Sequence, residues 1–552
     1  MTRTFHIGLS VLLTAVATVL LFSLLGLPMS GIDDANITFV YARHLVDGAG
    51  LVYNVGGEWV EGFTSVTGML TAALGYVFVA APEWLLTLAN VLLVGFAIGI
   101  AGRCIQQQVP AGTVLFYCWV FALPTYFVWG TASLLETGIY SALLLMLVTV
   151  QLQVVYANSL SRQQAVVFSG LLIALLLTRP DAMAWALAFL TSWALILRWR
   201  GISGRQFVGL MCIPLIAAAA CLLALTAFRW QYFGYPLPNT YYAKVSPDRL
   251  YNIVQGLKYS IGFVVNNPLA GALFLVAAVA GLSNLIPALR ALLSGSKTLS
   301  AERLAVFLLS ALLLSGLTIV VLMGGDYFSG FRFFQPVWPL LVLLLIFVAA
   351  GYRPAWLQWS NGAVQRVCIA VVLLFSSGVT WFNLHADPHW YGHQWDIAGR
   401  GRLMGTELQK IFANEGLPSL GVTAAGGTKM TYPGEVVDLL GLNYTPMAHA
   451  PGDRKGITAH ASFNKDVFWQ NPPGLVEPML CRSDKLENAY ADPENWSHRI
   501  LKGLPADERF IEKYAYAAIE TPDPDVDWWV CTLIDRELLG RLQAGSGQIV
   551  SD

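Results

Sequence analysis

"GIDDANITFVYARHLVDGAGLVYN" (residues 31–54) follows directly on an apolar run from His6 to Leu27. That run has the length of a membrane span, beyond the roughly 7–15 residues of a signal-peptide core. It has no small-x-small cleavage site where one is expected, so it reads as an uncleaved first transmembrane helix. Asp33 and Asp34 then stand where the chain leaves the membrane. The stretch after them is periodic, with Ile37, Val40, Tyr41 and Leu45 on one helical face. One aspartate would suffice to cap that helix. Two adjacent aspartates repel and raise the pKa of one, which suits a general base, or a ligand for a metal or a hydroxyl.

Composition extends this reading to the whole chain. Mean hydropathy is +0.58 and 12% of the 552 residues are charged, against roughly 25% in soluble proteins. Residues 1–385 hold 11 acids and 18 bases, and residues 386–552 hold 23 acids and 15 bases. The expected organisation is a polytopic helical membrane domain over 1–385 and a soluble domain over 386–552. The tail is long enough for its own core. Its pattern of a short strand, a Gly-rich turn and a second strand (417–442) fits a mixed α/β sheet. A net charge of −1 gives no argument for nucleic acid. Seven cysteines are dispersed without a C-x-x-C pair. Cys481 and Cys531 stand in the tail, where export would allow a disulfide and two unpaired thiols are the alternative.

Eleven apolar runs could span, some of them short for a ~30 Å core: 6–28, 85–102, 112–130, 134–156, 165–180, 182–198, 207–228, 268–288, 305–323, 336–351 and 366–385. A further run, 66–81, is ambiguous. With the N-terminus inside and eleven spans, the cytoplasmic loops carry Arg103, Arg162, Arg200, Arg205, Arg290, Lys297, Arg303 and Arg353, which satisfies the positive-inside rule. A twelfth span would invert that order, so 66–81 is placed at the outer interface or as a re-entrant helix within a first outer loop, 29–84. Of the membrane domain's acids only Glu302 is then cytoplasmic, and Asp33, Asp34, Asp47, Glu58, Glu61, Glu83, Glu136, Asp181, Asp248 and Asp326 all face outward, as does the tail.

These outward residues fall in clusters. Glu58 and Glu61 sit among glycines beside Trp59 and Phe63, an interfacial turn or a surface for sugar or lipid. Glu136 opens a helix, where a negative charge is favourable in any case. Arg179-Pro180-Asp181 forms a hairpin between two spans, and charges so near lipid must pair or meet water. "RWQYFGYPLPNTYYAKV" (229–245) holds Tyr235, Asn239 and Lys244, the last a phosphate partner or a snorkelling interfacial lysine. "GGDYFSGFRFFQP" (324–336) holds Asp326 and Arg332, a structural pair or a two-pronged phosphate grip. Together they describe an outward cavity walled by many helix ends, with a base and phosphate-binding cations. A transporter would place charge nearer the bilayer midplane, and no predicted span carries a central charge.

The stretches "DDANITFVYARHLVDGAGLVYNVGGEWVEGFTS", "ASLLETGIY", "LLLTRPDA", "YFGYPLPNTYYAKV" and "GGDYFSGFRFFQPVWPL" resemble, in order, the motifs of GT-C fold integral-membrane glycosyltransferases. The branch looks like that of the mycobacterial terminal arabinofuranosyltransferases, and "GGTKMTYPGEVVDLLGLNYTPMAHAPGDRKG" (426–456) is similar to that branch's exported domain. Asn36, Ser65-Val66 and Asn443-Tyr444 depart from the branch's pattern. The resemblance implies a polyprenyl-phosphate sugar donor, arabinofuranose being the sugar of this branch and mannose or aminoarabinose the alternatives. It implies an acceptor hydroxyl on a cell-envelope glycan or exported protein outside a bacterial cytoplasmic membrane. The expected catalytic residues are Asp33 or Asp34, with Glu136 at the family's second acidic position. Arg43, Glu61, Arg179, Asp181, Tyr235, Asn239, Lys244, Asp326 and Arg332 are expected to bind substrate, and the tail is expected to bind acceptor glycan. Adjacent carboxylates also suit Mg²⁺ or Mn²⁺, although a single-sugar phosphate donor does not require a metal.

Overall fold

A computed structural model describes residues 2–79, 81–295, 299–352, 388–522, 528–544 and 549–551. Among these, eight helices are long and apolar enough to cross a membrane, or nine if one bent pair counts as a span. The first, α1 (Arg3–Leu25), realises the opening apolar run. The predicted span 112–130 is the bent pair, Gly112–Phe121 and Pro124–Ala132, which meet at 68°. Pro124 starts the second piece, where its missing N–H does least harm. The predicted span 165–180 is the 15-residue helix Arg162–Leu176, about 22 Å long and short of a ~30 Å hydrocarbon core. The ambiguous run forms the 13-residue helix Val66–Phe78. The predicted span 366–385 lies outside the described residues.

The long helices Gly204–Phe233 and Pro268–Ser294 expose Leu215, Ile216, Leu223, Leu275, Val279 and Leu282. Such apolar faces suit lipid. Thr137–Tyr156 is buried along nearly its whole length. It is the most deeply buried of these candidate spans and carries Glu136 at its N-cap.

The tail folds into a six-stranded mixed sheet: β1 (Leu420–Val422), β2 (Val436–Asp438), β3 (Leu475–Cys481), β4 (Tyr514–Glu520), β5 (Trp529–Asp535) and β6 (Ile549–Ser551). Their order is β2-β1-β3-β5-β4-β6. β1 runs parallel to β2 and β3, and β3, β5, β4 and β6 alternate antiparallel. Cys481 and Cys531 form a disulfide with Cα atoms 6.0 Å apart, joining β3 to β5, so the open question of the two thiols resolves to a bridge.

The sheet sits on the helices through α2 (Asp33–Val46). The aspartates do not cap this helix by side chain, since the N-cap is Ile32. Asp33 instead accepts the backbone N–H groups of Gly426 and Gly427, at 2.9 and 2.7 Å. Glycine is required at both, because an added Cβ would lie 1.8 Å from the Asp33 carbonyl oxygen or 2.3 Å from that of Ala398. Arg402, on the Pro388–Ile411 helix, adds bonds of 2.7 Å to Asn36 and to Glu83.

Candidate active site

The Asp33-Asp34 pair divides its work by helical geometry. Successive residues on a helix point about 100° apart, so the two carboxylates cannot face the same way. Asp33 turns to the sheet domain and is 9% exposed. Burial pushes its pKa up to about 6 against the pull of the two glycine amides. Asp34 turns to open space, 21% exposed, and pairs with Lys244 at 3.1 Å. Burial opposes its ionisation too, but Lys244 and Arg332 more than offset this and hold the carboxyl below its ordinary value. Asp34 is therefore an ionised, accessible carboxylate beside a cation. Asp33 is a buried tether.

Asp34 and Lys244 stand where two cavities meet. The first, of about 200 Å³, is walled by helix ends and brings together Asp34, Glu136, Arg179, Asp181, Lys244, Asp326 and Arg332. Its cations are compensated. Arg179 bonds Asp181 through Nε and Glu136 through Nη1, both at 2.7 Å. Tyr140 donates to the other Asp181 oxygen at 2.8 Å. Arg332 bonds Asp326 through Nε at 2.7 Å and lies over the Phe328 ring at 4.4 Å. Both of its Nη groups lack a hydrogen-bond partner among the described residues. A bound anion would be received by such spare N–H groups and by Lys244. From this cavity a narrow apolar cleft of about 20 Å³ runs past Leu144, Trp185 and Ile319.

The second cavity, of about 700 Å³, lies between the helices and the sheet domain. It shares Asp34 and Lys244 with the first, and adds Asp33, whose two oxygens are taken by the glycine amides, with Tyr327, His460 and Trp496.

The remaining expected site residues stand outside both linings and hold the walls. Arg43 donates to the Met430 carbonyl at 2.8 Å. Glu61 forms a buried pair with Arg229, with contacts of 2.8, 2.9 and 3.1 Å. Tyr235 stacks on the His449 ring at 4.0 Å. Asn239 donates to the Gly441 and Leu442 carbonyls at 2.7 and 3.1 Å. Each ties the 29–84 segment or the 229–245 segment to its surroundings, because a buried polar group near a domain junction is stable only when its hydrogen bonds are met.

Other residues at the site were not picked out by sequence. Asp438, at the end of β2, is fully buried and accepts from the Leu440 and Asn443 backbone and the Asn443 side chain, each at 2.9 Å. Burial pushes its pKa up to about 6. Arg454 lines the first cavity and donates to the Ala448 and Ala450 carbonyls. His460 and Trp496 come from the sheet domain and carry no motif of their own. Of the aspartate pair, Asp33 has one glycine amide on each oxygen and Asp34 faces a lysine. No group of three potential ligands converges among the described residues.

No family model matches the chain, and no curated protein matches it. Among solved structures it is similar to the Archaeoglobus fulgidus oligosaccharyltransferase in the apo form. That match has a TM-score of 0.51 and 10% identity, over 94% of this chain and 73% of that one. ArnT from Cupriavidus metallidurans bound to undecaprenyl phosphate matches at TM-score 0.44 and 15% identity, over 95% and 98%. AglB from Archaeoglobus fulgidus, in complex with an inhibitory peptide and a dolichol-phosphate, matches at 0.46 and 10%, over 94% and 73%. The likeness to the apo oligosaccharyltransferase is one of fold: the chain has a GT-C type helical membrane domain with a C-terminal mixed sheet domain.

Proposed function

We propose that this chain is a membrane glycosyltransferase that moves a sugar from a polyprenyl-phosphate donor to an acceptor hydroxyl, with Asp34 as the general base. The observation that carries the reading is the junction itself. An ionised carboxylate and a lysine stand where a cation-lined cavity meets a second cavity under the sheet domain.

In this reading the donor phosphate occupies the first cavity, near Lys244, Arg332 and the remaining N–H of Arg179. The acceptor enters through the second cavity. Asp34 takes the hydroxyl proton as the oxygen bonds to the anomeric carbon. The bond from that carbon to the phosphate oxygen breaks, and the polyprenyl phosphate leaves with its charge met by the cations. Asp34 then returns its proton to water. Glu136 and Asp181 keep Arg179 in place. The Cys481–Cys531 bridge supports an oxidising, outer location for the sheet domain. A bacterial cytoplasmic membrane with this domain outside is the reading that the loop charges favour. A pentofuranose such as arabinofuranose is the sugar that the resemblance to the arabinofuranosyltransferase branch implies.

The test is incubation of the full chain in nanodiscs with undecaprenyl-phosphate-linked pentofuranose, mannose and aminoarabinose, and a panel of glycoside acceptors. Transfer of one sugar with release of undecaprenyl phosphate is expected. Turnover with none of the donors would sink the transferase reading.

A further inference from the structure

His460 has a ring held on three sides. Its Nδ1 lies 2.9 Å from the Thr458 carbonyl oxygen. A carbonyl only accepts, so Nδ1 carries the proton. The ring meets Tyr327 edge-on at 4.5 Å and Trp496 at 5.7 Å. Burial, with Lys244 nearby, holds its pKa below the ordinary histidine value, so the ring is neutral. A neutral ring with its proton on Nδ1 leaves a lone pair on Nε2, and Nε2 has no partner among the described residues. His460 lines the same cavity as Asp34 and feels its charge.

A hydroxyl has one proton, and in the proposed reaction Asp34 takes it. Nε2 cannot share that proton, so it serves a different hydroxyl of the same acceptor. We infer that His460 is an acceptor-binding residue whose Nε2 accepts a hydrogen bond from a second hydroxyl, so that the site selects a sugar or polyol over a lone-hydroxyl acceptor such as a serine side chain. Trp496, 52% exposed at the cavity rim, offers an apolar face to the sugar ring. This inference rests on the transferase reading for its reaction but not for its ligand.

The test has two arms on the full chain in nanodiscs. The first is carbethoxylation of His460 by diethyl pyrocarbonate, which attacks an unprotonated imidazole nitrogen, read by peptide mass spectrometry. His460 is expected to be modified. Methyl glycosides of arabinose, galactose and mannose are expected to slow the modification, and N-acetylserinamide is not. Absence of modification, or no slowing by any glycoside, overturns the inference. The second arm compares His460→Phe, which keeps the ring packing and loses the lone pair, with His460→Gln, which restores an acceptor atom near Nε2. The ratio of transfer to glycoside over transfer to water is expected to fall about tenfold in the first and recover in the second, the size of one lost hydrogen bond. Equal ratios in both variants overturn it. Loss of transfer to every acceptor, water included, in the wild type indicts the transferase reading alone, and the labelling arm still decides His460.

Discussion

The buried Glu61–Arg229 pair allows a sharp prediction about what holds the 29–84 segment in place. Three N–O contacts between 2.8 and 3.1 Å join the side chains, which are 3% and 7% exposed. Removing the guanidinium by Arg229→Met leaves a carboxylate facing buried surroundings. Breaking such a pair costs about 3–5 kcal/mol. The pair itself is a poor stabiliser. Burial raises the Glu61 pKa even though Arg229 opposes it, so the attraction does not fully offset the loss of water. The double variant Glu61→Met with Arg229→Met should then lie within about 1 kcal/mol of wild type, or above it. Melting of the purified variants in one detergent, followed by fluorescence-detected size exclusion, gives the three values and their coupling energy. In Arg229→Met the folded pKa of Glu61 rises further above its unfolded value. Stability is then present at low pH and lost as pH rises, so the penalty should shrink on acidification. A silent Arg229→Met, or a double variant worse than the two singles summed, would refute this reasoning.

Three further outcomes follow from the same structure. Asp33 has a folded pKa of about 6 against 3.8 unfolded, so its contribution is full below the lower value and is lost as pH rises through the higher one. The melting difference between wild type and Asp33→Asn should shift toward wild type by about 1.4 kcal/mol between about pH 7.5 and about pH 5, and a flat difference would contradict the tether. Gly426→Ala must displace the Asp33 carbonyl that its Cβ would meet at 1.8 Å. Limited proteolysis should therefore release the sheet domain faster, whereas Gly416→Ala, with nothing within 4 Å of its Cβ but a φ of +81°, should act only locally. Cys531→Ser opens a bridge spanning 50 residues and should lower the stability of the sheet domain by about 4 kcal/mol, measurable as a lower denaturant midpoint for its tryptophan signal.

Much of the architecture could be read from charge and periodicity. The apolar runs gave the helices, and the excess of acids after residue 385 marked the tail that forms the sheet. Asp34, Glu136, Asp181 and Asp326, far apart in sequence, line one cavity. Apolar length was a weaker guide where the chain bends. Residues 112–130 read as one span because hydropathy does not register the 68° turn at Pro124. Residues 165–180 read long because Leu177 and Thr178 continue the apolar pattern past the helix end. Within the site, residue type revealed candidates but not partners. Glu61 and Arg229 are 168 positions apart, and nothing in either neighbourhood signals that they neutralise each other. His460 and Trp496 reach the cavity only through the packing of the sheet domain, so no spacing rule could find them. The division between Asp33 and Asp34 depends on which way α2 is turned, and that is fixed by Gly426 and Gly427, nearly 400 residues later.

In the proposed reaction Asp34, not Asp33, takes the acceptor proton. This is tested most directly by single-turnover transfer from undecaprenyl-phosphate-linked pentofuranose in Asp34→Asn and Asp33→Asn, each checked for intact folding by its elution profile. Loss of the base should slow the chemical step of Asp34→Asn by about 10²–10⁴-fold, while Asp33→Asn, which keeps one acceptor oxygen for the glycine amides, should stay within about tenfold of wild type. An active Asp34→Asn beside an inactive, well-folded Asp33→Asn would contradict it.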